Sequence, residues 1–253
     1  MDAPAPVNAH RLNPVDGIFR RLGLHLLPPR CLLCRAPGAN GRELCSDCAR
    51  DLPWNRSACA RCALPLPAPA AACGDCLQHP PPFERLFAPL RYADPLDALV
   101  QRFKFRHDLA AGVLLADLLG DALTEVPVDP LTGPDLLVPV PLHARRLAER
   151  GYNQSLELAK RIAPALQLRI DAAALTRTRA TEVQSGLDAK ARRQNVHDAF
   201  AADPARVRDR RVALLDDVAT TTATAHECSR ALLRAGARSV HVWTLARAPA
   251  RRQ

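Results

Sequence analysis

No run of the roughly 18 apolar residues expected of a bilayer-crossing helix interrupts this 253-residue chain, so no membrane span is predicted. Residues 1–15, dotted with Pro and Asn, lack the apolar centre of a secretory signal, and the expected compartment is the cytoplasm. A Ser-His-Asp arrangement with a recognisable nucleophile context is missing too, which removes that route to hydrolysis. His10, His25, His79 and His107 stand without ligand partners at useful spacing. A short amphipathic helix through Phe19, Leu22, Leu26 and Leu27 reads as docking on its own protein.

The chain is long enough for one ordinary domain plus a small module. At 48% apolar and 24% charged residues it can bury a core. Its net charge is +9 and its pI about 9.5, with the basic residues overwhelmingly Arg. That surplus suits anionic partners, phosphorylated small molecules or nucleic acid, but an Arg-biased composition produces it equally well.

Cysteine usage discriminates more sharply. Of nine cysteines, eight form C-x2-C pairs between Cys31 and Cys76, and Cys228 stands apart, as a buried core residue by its place on a helix stripe. Cys31, Cys34, Cys45 and Cys48 recur, shifted by 28 residues, as Cys59, Cys62, Cys73 and Cys76. Without an export signal such pairs read as metal ligands rather than disulfides. Four thiolates suit tetrahedral zinc and leave no open position, so two structural Zn2+ ions are expected, with no zinc catalysis. Segments this short cannot fold on apolar burial, and metal would supply the folding energy. Consecutive pairing of the turns and an interleaved pairing both satisfy the count; the repeat favours the consecutive one.

Pro80-Pro81-Pro82 marks a boundary, giving a cysteine-rich module over 28–80 and a larger domain over 83–248. In the latter a strand is expected over 83–92, with helices over 95–105 and 109–123, the second carrying a stripe of Leu109, Val113, Leu119 and Leu123. A loop over 124–134 precedes an apolar strand at 136–138, and a helix follows over 151–166. A second buried strand at 212–215 ends in Asp216-Asp217, and a helix through Ala225, Cys228, Leu232 and Ala235 stops at Gly236. A closing strand covers 240–245. The alternation predicts an α/β fold with a parallel sheet. In Gln101-Arg102-Phe103-Lys104-Phe105-Arg106, one ring should be buried and one edge-packed, with Lys104 and Arg106 in solvent.

The stretch Asp216-Asp217-Val218-Ala219-Thr220-Thr221-Thr222-Ala223-Thr224 leaves a buried strand and opens a helix. Backbone N–H groups and Thr hydroxyls at a helix start suit a phosphate, and two carboxylates at a strand end suit vicinal ribose hydroxyls. The bland alternative is that the acids merely cap the loop.

This stretch resembles the phosphoribosyl-pyrophosphate loop of type I phosphoribosyltransferases, D-D-x-x-T-T-G-x-T. The whole chain resembles the ComF (GntX-like) competence-protein family, which joins cysteine knuckles to such a domain. The likeness takes in the cysteine pairs, Val138-Pro139-Val140-Pro141-Leu142-His143 and Arg150-Gly151-Tyr152-Asn153-Gln154. It continues through Gln184, Leu187, Arg192-Arg193-Gln194-Asn195-Val196 and Phe200.

The resemblance implies a type I phosphoribosyltransferase-like parallel sheet behind a small N-terminal double zinc ribbon. It implies ribose binding by Asp216 and Asp217, and a phosphate cradle of Thr220, Thr221, Thr222, Ala223 and Thr224. It places pyrophosphate contacts at His143 and Arg145, and a hood over 178–196 bringing Arg192 and Arg193 over the ligand, with Mg2+ accompanying phosphoribosyl pyrophosphate. One position departs: the pattern's glycine is Thr222, a β-branched residue where the backbone needs freedom, which weighs against efficient transfer. Three functions follow. The first is a DNA-uptake accessory that binds phosphoribosyl pyrophosphate-like ligands or single-stranded DNA. The others are a genuine phosphoribosyltransferase of unknown acceptor and a zinc-ribbon adaptor for a helicase-like partner.

Overall fold

The computed structural model describes residues 29–126, 133–179 and 198–250. The short helix at 19–27, most of the 124–134 loop and nearly all of the 178–196 hood lie outside the described residues. By packing, the chain divides between Asp51 and Leu52.

The two cysteine-rich copies, one in each unit, repeat in backbone detail. The amide of Cys31 donates to Ala36 O at 2.8 Å, and that of Cys59 donates to Leu64 O at 2.9 Å. Arg35 and Ala63, the residues after each first C-x2-C, both adopt positive φ, at 66° and 53°. Each copy then places a short helix after its third cysteine, α1 (Ser46–Asp51) and α2 (Gly74–Gln78). The second copy is knitted into the sheet: Leu86 N donates to Arg61 O, the Asn55 side chain donates to Ala63 O and Ala88 O, and Ala63 joins the main core cluster.

That sheet runs β1 (Arg85–Phe87), β8 (Ser239–Arg247), β7 (Arg211–Ala219), β3 (Leu136–Pro139), β4 (Arg169–Ile170), all parallel, with β2 (Leu90–Arg91) pairing farther along β8. Val212 to Leu215 are buried throughout, as a strand covered on both faces requires. The chain leaves β3 toward β4 but leaves β7 toward β8. The carboxyl ends of β3 and β7 therefore flank a topological switch point, where open α/β sheets bind ligands. A separate antiparallel pair, β5 (Leu175–Arg177) with β6 (Phe200–Ala202), flanks the segment expected to be the hood, and the short α7 (Pro204–Val207) follows it.

Helix α3 (Leu96–Phe105) buries Leu96, Leu99, Val100 and Phe103, an i, i+3, i+4, i+7 stripe. Asp108 caps α4 (Leu109–Thr124) by accepting from Ala111 N, and pairs with Arg102 at 2.6 Å, fixing the turn between the two helices. The stripe expected on α4 is only half right. Leu119 and Leu123 are buried, but Leu109 and Val113 are exposed, and Ala111, Gly112, Leu114, Leu115, Ala116 and Leu118 are buried instead. The reason is that α4 packs against α3, β8 and α6 (Gln154–Leu166) together, so most of its circumference is covered. Between β3 and α6 lies α5 (Ala144–Arg150), a helix the sequence pattern left unmarked; it ends at Gly151 with φ 72°. The last helix, α8 (Ala223–Arg234), stops just before Gly236, φ 95°, as expected.

Gly112 marks the closest approach of α3 and α4, since a Cβ there would meet the Phe103 ring at 2.5 Å. Overpacking of this kind costs about 1–3 kcal/mol, and alanine returns about 1 kcal/mol of helix propensity. Gly112→Ala should therefore lower stability by about 1 kcal/mol net, read from the urea midpoint. An unchanged or raised midpoint would show that the buried Phe103 ring yields freely.

Candidate ligand loop and metal centres

Within each copy the four Sγ atoms lie within 4.8 Å of one another: Cys31, Cys34, Cys45, Cys48 in one, Cys59, Cys62, Cys73, Cys76 in the other. This is the consecutive arrangement; the interleaved one is not formed. Sulfurs bound to one zinc at about 2.3 Å stand about 3.8 Å apart. Observed separations include 3.6 Å for Cys34–Cys45, 3.7 Å for Cys62–Cys73 and 4.0 Å for Cys59–Cys76. The donor sets therefore fit zinc. Backbone amides donate to the sulfurs, Cys48 N to Cys45 Sγ and Cys73 N to Cys59 Sγ. Burial pushes the thiols of Cys31 and Cys59 up, but backbone N–H groups outweigh it and leave them at about 6 and about 7. The second set is buried at all four positions, whereas Cys34 in the first is exposed.

The acidic pair sits within β7, which runs on through Ala219 rather than ending at the acids. The two side chains start from alternate positions of the strand and meet different partners. Asp216 shares the parity of Val212 and Leu214, which pack with Ala225 and Cys228 of α8. Its Oδ1 accepts from Ser155 Oγ at 3.2 Å and from Asp217 N at 2.9 Å. Burial and the neighbouring Asp217 push its carboxyl up to about 6, against the pull of Lys104 and these hydrogen bonds. Asp217 Oδ2 pairs with Lys104 Nζ at 2.8 Å, both largely shielded from water.

Beyond β7, Thr220 is exposed, Thr221, Thr222 and Thr224 are half-buried, and Ala223 is buried. Thr222 is the N-terminal cap position of α8, with φ 59° and ψ 2°. This is the left-handed conformation a glycine would take without strain and a β-branched residue resists. Its hydroxyl donates to Thr221 O at 2.6 Å instead of capping the helix, so no side chain of this residue occupies the amides that open α8. A twelve-residue helix with its first turn uncapped in this way is suited to an anion.

The turn after β3 lies alongside: Val140 N donates to Leu215 O at 2.9 Å, and Asn153 holds Val140 O at 3.0 Å. His143 caps α5 by accepting from Arg145 N, while Arg145 is exposed and paired with Glu149. Next to this turn, α5 and the end of α3 enclose a cleft of about 350 Å³ lined by Lys104, Phe105, His107, Arg146, Glu149 and Arg150. Here the sequence expectation needs correcting. Phe103 is buried, but Phe105 is 65% exposed with the Arg150 guanidinium 5.0 Å above its ring, and Lys104 is turned inward to Asp217. The signal was present, because Lys104 is four residues after the buried Val100 and so borders the apolar face. Ser155 and Arg247, which also hold this region, carried no comparable mark. Arg192 and Arg193 lie outside the described residues.

Left-handed strain at a non-glycine residue costs about 1–3 kcal/mol, and glycine's extra chain entropy returns about 1. Thr222→Gly should thus raise stability by about 1 kcal/mol, seen as a higher melting temperature; a lower one would show that the Thr222 hydroxyl holds the loop. Protein purified without chelator should carry about two zinc equivalents per chain on the four-thiolate rule. Cys45→Ser should remove about one of them and leave the melting of the sheet unit near that of the unaltered chain, whereas Cys73→Ser should lower it. One equivalent or none in the unaltered chain would overturn the reading.

The sequence profile of the double zinc ribbon domain matches residues 24–77. Over 223 residues the chain is 40% identical to DNA utilization protein YhgH of Escherichia coli K12, covering 87% of this chain and 98% of that protein. The YhgH protein of Salmonella typhi shows the same identity and coverage. Competence protein F of Haemophilus influenzae is 37% identical over 175 residues, 68% of this chain and 76% of that one. Among solved structures, a glutamine phosphoribosylpyrophosphate amidotransferase from B. subtilis, complexed with ADP and GMP, aligns with 53% of this chain and 26% of its own at 21% identity and a TM-score of 0.38. With its paired cysteine tetrads, its parallel sheet and this near-complete alignment, the chain belongs to the YhgH/competence protein F family of double zinc ribbon proteins.

Proposed function

We propose that the sheet unit is phosphoribosyltransferase-like and binds a ribose 5-phosphate moiety, phosphoribosyl pyrophosphate with Mg2+ being the ligand of choice. The observation that carries this reading is the placement of Asp216 and Asp217 beside the uncapped start of α8, at the sheet's switch point. The peptide N–H groups and hydroxyls of Thr220, Thr221 and Thr224 take the 5-phosphate, and the acids take ribose hydroxyls. Asp217 comes into play by exchanging Lys104 for the ligand, and Lys104 is then free to meet the diphosphate. His143 and Arg145 at the turn after β3 face the same ligand, joined by Arg192 and Arg193. Thr222 keeps the loop's shape at a cost in strain, which favours a binding role over rapid group transfer. The Mg2+ ion, when bound, would neutralise the diphosphate.

The names of the relatives point to DNA handling, and we infer that the ligand-binding unit serves a DNA-uptake accessory working in the cytoplasm. The basic cleft beside Asp217, with Phe105 exposed under Arg150, favours single-stranded DNA as the polymer, through stacking and phosphate contacts. A helicase-like partner held by the ribbons is the adaptor form of the same role. Among the described residues no helix is long and apolar enough to cross a membrane.

Calorimetric titration of Mg2+ and phosphoribosyl pyrophosphate tests the ligand. Asp217→Asn removes a charged acceptor, and affinity should fall roughly ten- to hundredfold. With a carboxyl at about 6, binding to the ionised pair should strengthen as pH rises from 5 to 7. The ligand-free fold responds in the opposite sense: a carboxyl raised above its unfolded value contributes stability that is full below about 4 and lost as pH rises through about 6. Affinity insensitive to both Asp217→Asn and pH places the ligand elsewhere.

A further inference from the structure

Arg247, the last residue of β8, is 7% exposed, yet no carboxylate pairs with it among the described residues. Its guanidinium is spent on backbone carbonyls. Nε donates to Cys62 O at 3.2 Å; Nη1 faces Ala219 O at 3.2 Å, Ala248 O at 2.9 Å and Thr220 O. One side of the fork therefore grips the first knuckle of the second tetrad. The other grips two consecutive peptides between the acidic pair and Thr222.

Two consequences follow from elementary chemistry. A buried cation needs an opposite charge nearby. The side chains of Cys62, Cys73 and Cys76 lie within electrostatic reach of Arg247, and four thiolates around one Zn2+ would leave two net negative charges there. The second consequence concerns the loop. A trans peptide is planar, with C=O and N–H pointing in opposite directions. Holding the carbonyls of Ala219 and Thr220 toward Arg247 turns the N–H groups of Thr220 and Thr221 the other way, as one face of an anion-binding nest.

We propose that Arg247 is a positioning residue that couples the second cysteine tetrad to the ligand loop, its charge balanced by the zinc-loaded thiolates and its fork aiming the loop amides at the phosphate. The proposal rests on the phosphate reading of the loop. Arg247→Lys keeps the charge but lacks the planar fork; Arg247→Met keeps length and loses both. Coupling is reciprocal, so ligand binding and zinc retention at the second tetrad must favour each other by the same factor.

The test uses the full chain with Cys34→Ser to silence the first tetrad, and measures two things: zinc release to a chromogenic chelator, and the affinity for phosphoribosyl pyrophosphate with Mg2+. The expected results are slower zinc release when the ligand is present, and about a five- to tenfold loss of ligand affinity in Arg247→Lys. In Arg247→Met, zinc release without ligand should be faster. The ligand dependence of zinc release in the Arg247-containing protein needs no change at Arg247, so it decides the matter even where Arg247→Met fails to fold. If that protein binds the ligand but releases zinc at the same rate with and without it, and Arg247→Lys binds equally well, the coupling is overturned while the loop reading stands. If the Arg247-containing protein binds no ligand, the loop reading itself is overturned, and the coupling with it.

Discussion

The hydrogen bonding of β7 along both of its edges is the constraint on which the site depends. It pairs with β8 over nearly its whole length and with β3 over its first half, so its backbone cannot turn or slide. A one-residue slip would exchange the faces of Asp216 and Asp217 and force Val212 and Leu214 into the space packed around Ala213 and Leu215. The carboxylates are thus aimed by the ladder, and the neighbouring elements only supply what each one meets: Ser155 from α6 for Asp216, Lys104 from α3 for Asp217. Where β3 stops pairing, at Pro139, the chain is free to turn across the end of β7, and the Val140 turn comes to rest beside Leu215.

Charge is handled differently at each buried position around this end of the sheet. Asp217 is paired with a lysine, Asp216 accepts hydrogen bonds from Ser155 and the Asp217 amide, and Arg247 is met by backbone carbonyls beside the second tetrad. Such arrangements contribute little stability, because desolvation offsets most of the attraction. What they confer is geometry. The strained Thr222 belongs with these features, since rules of local stability are most often broken where a ligand is to be met.

Much of this was legible in the residues. The repeat of four cysteines at a shift of 28 favoured the consecutive pairing that is found, and the alternation of short apolar runs with helical stripes pointed to the parallel sheet. The loop after β7 announced itself through two acids and a run of threonines, and the displaced glycine at Thr222 corresponds to the left-handed backbone found there. What could not be read was whatever depends on neighbours distant in sequence. The burial of α4 is decided by three partners, not by its own periodicity. Lys104 turns inward because Asp217, more than a hundred positions later, is there to receive it. Arg247 looks like one arginine among many in a basic tail until β8 carries it under the second knuckle. Short α5 lacks a buried face altogether, having no buried residue, and so left no apolar pattern to find.

The two cysteine-rich copies began as equals in sequence and differ in what surrounds them. Around the second, Arg61, Cys62 and Ala63 each answer to two demands, shaping the knuckle and docking on strands or on Arg247. A duplicated element with one overcommitted copy has unequal room for change. Substitutions at Arg61, Cys62 or Ala63 are felt at once by a knuckle and by what is docked on it.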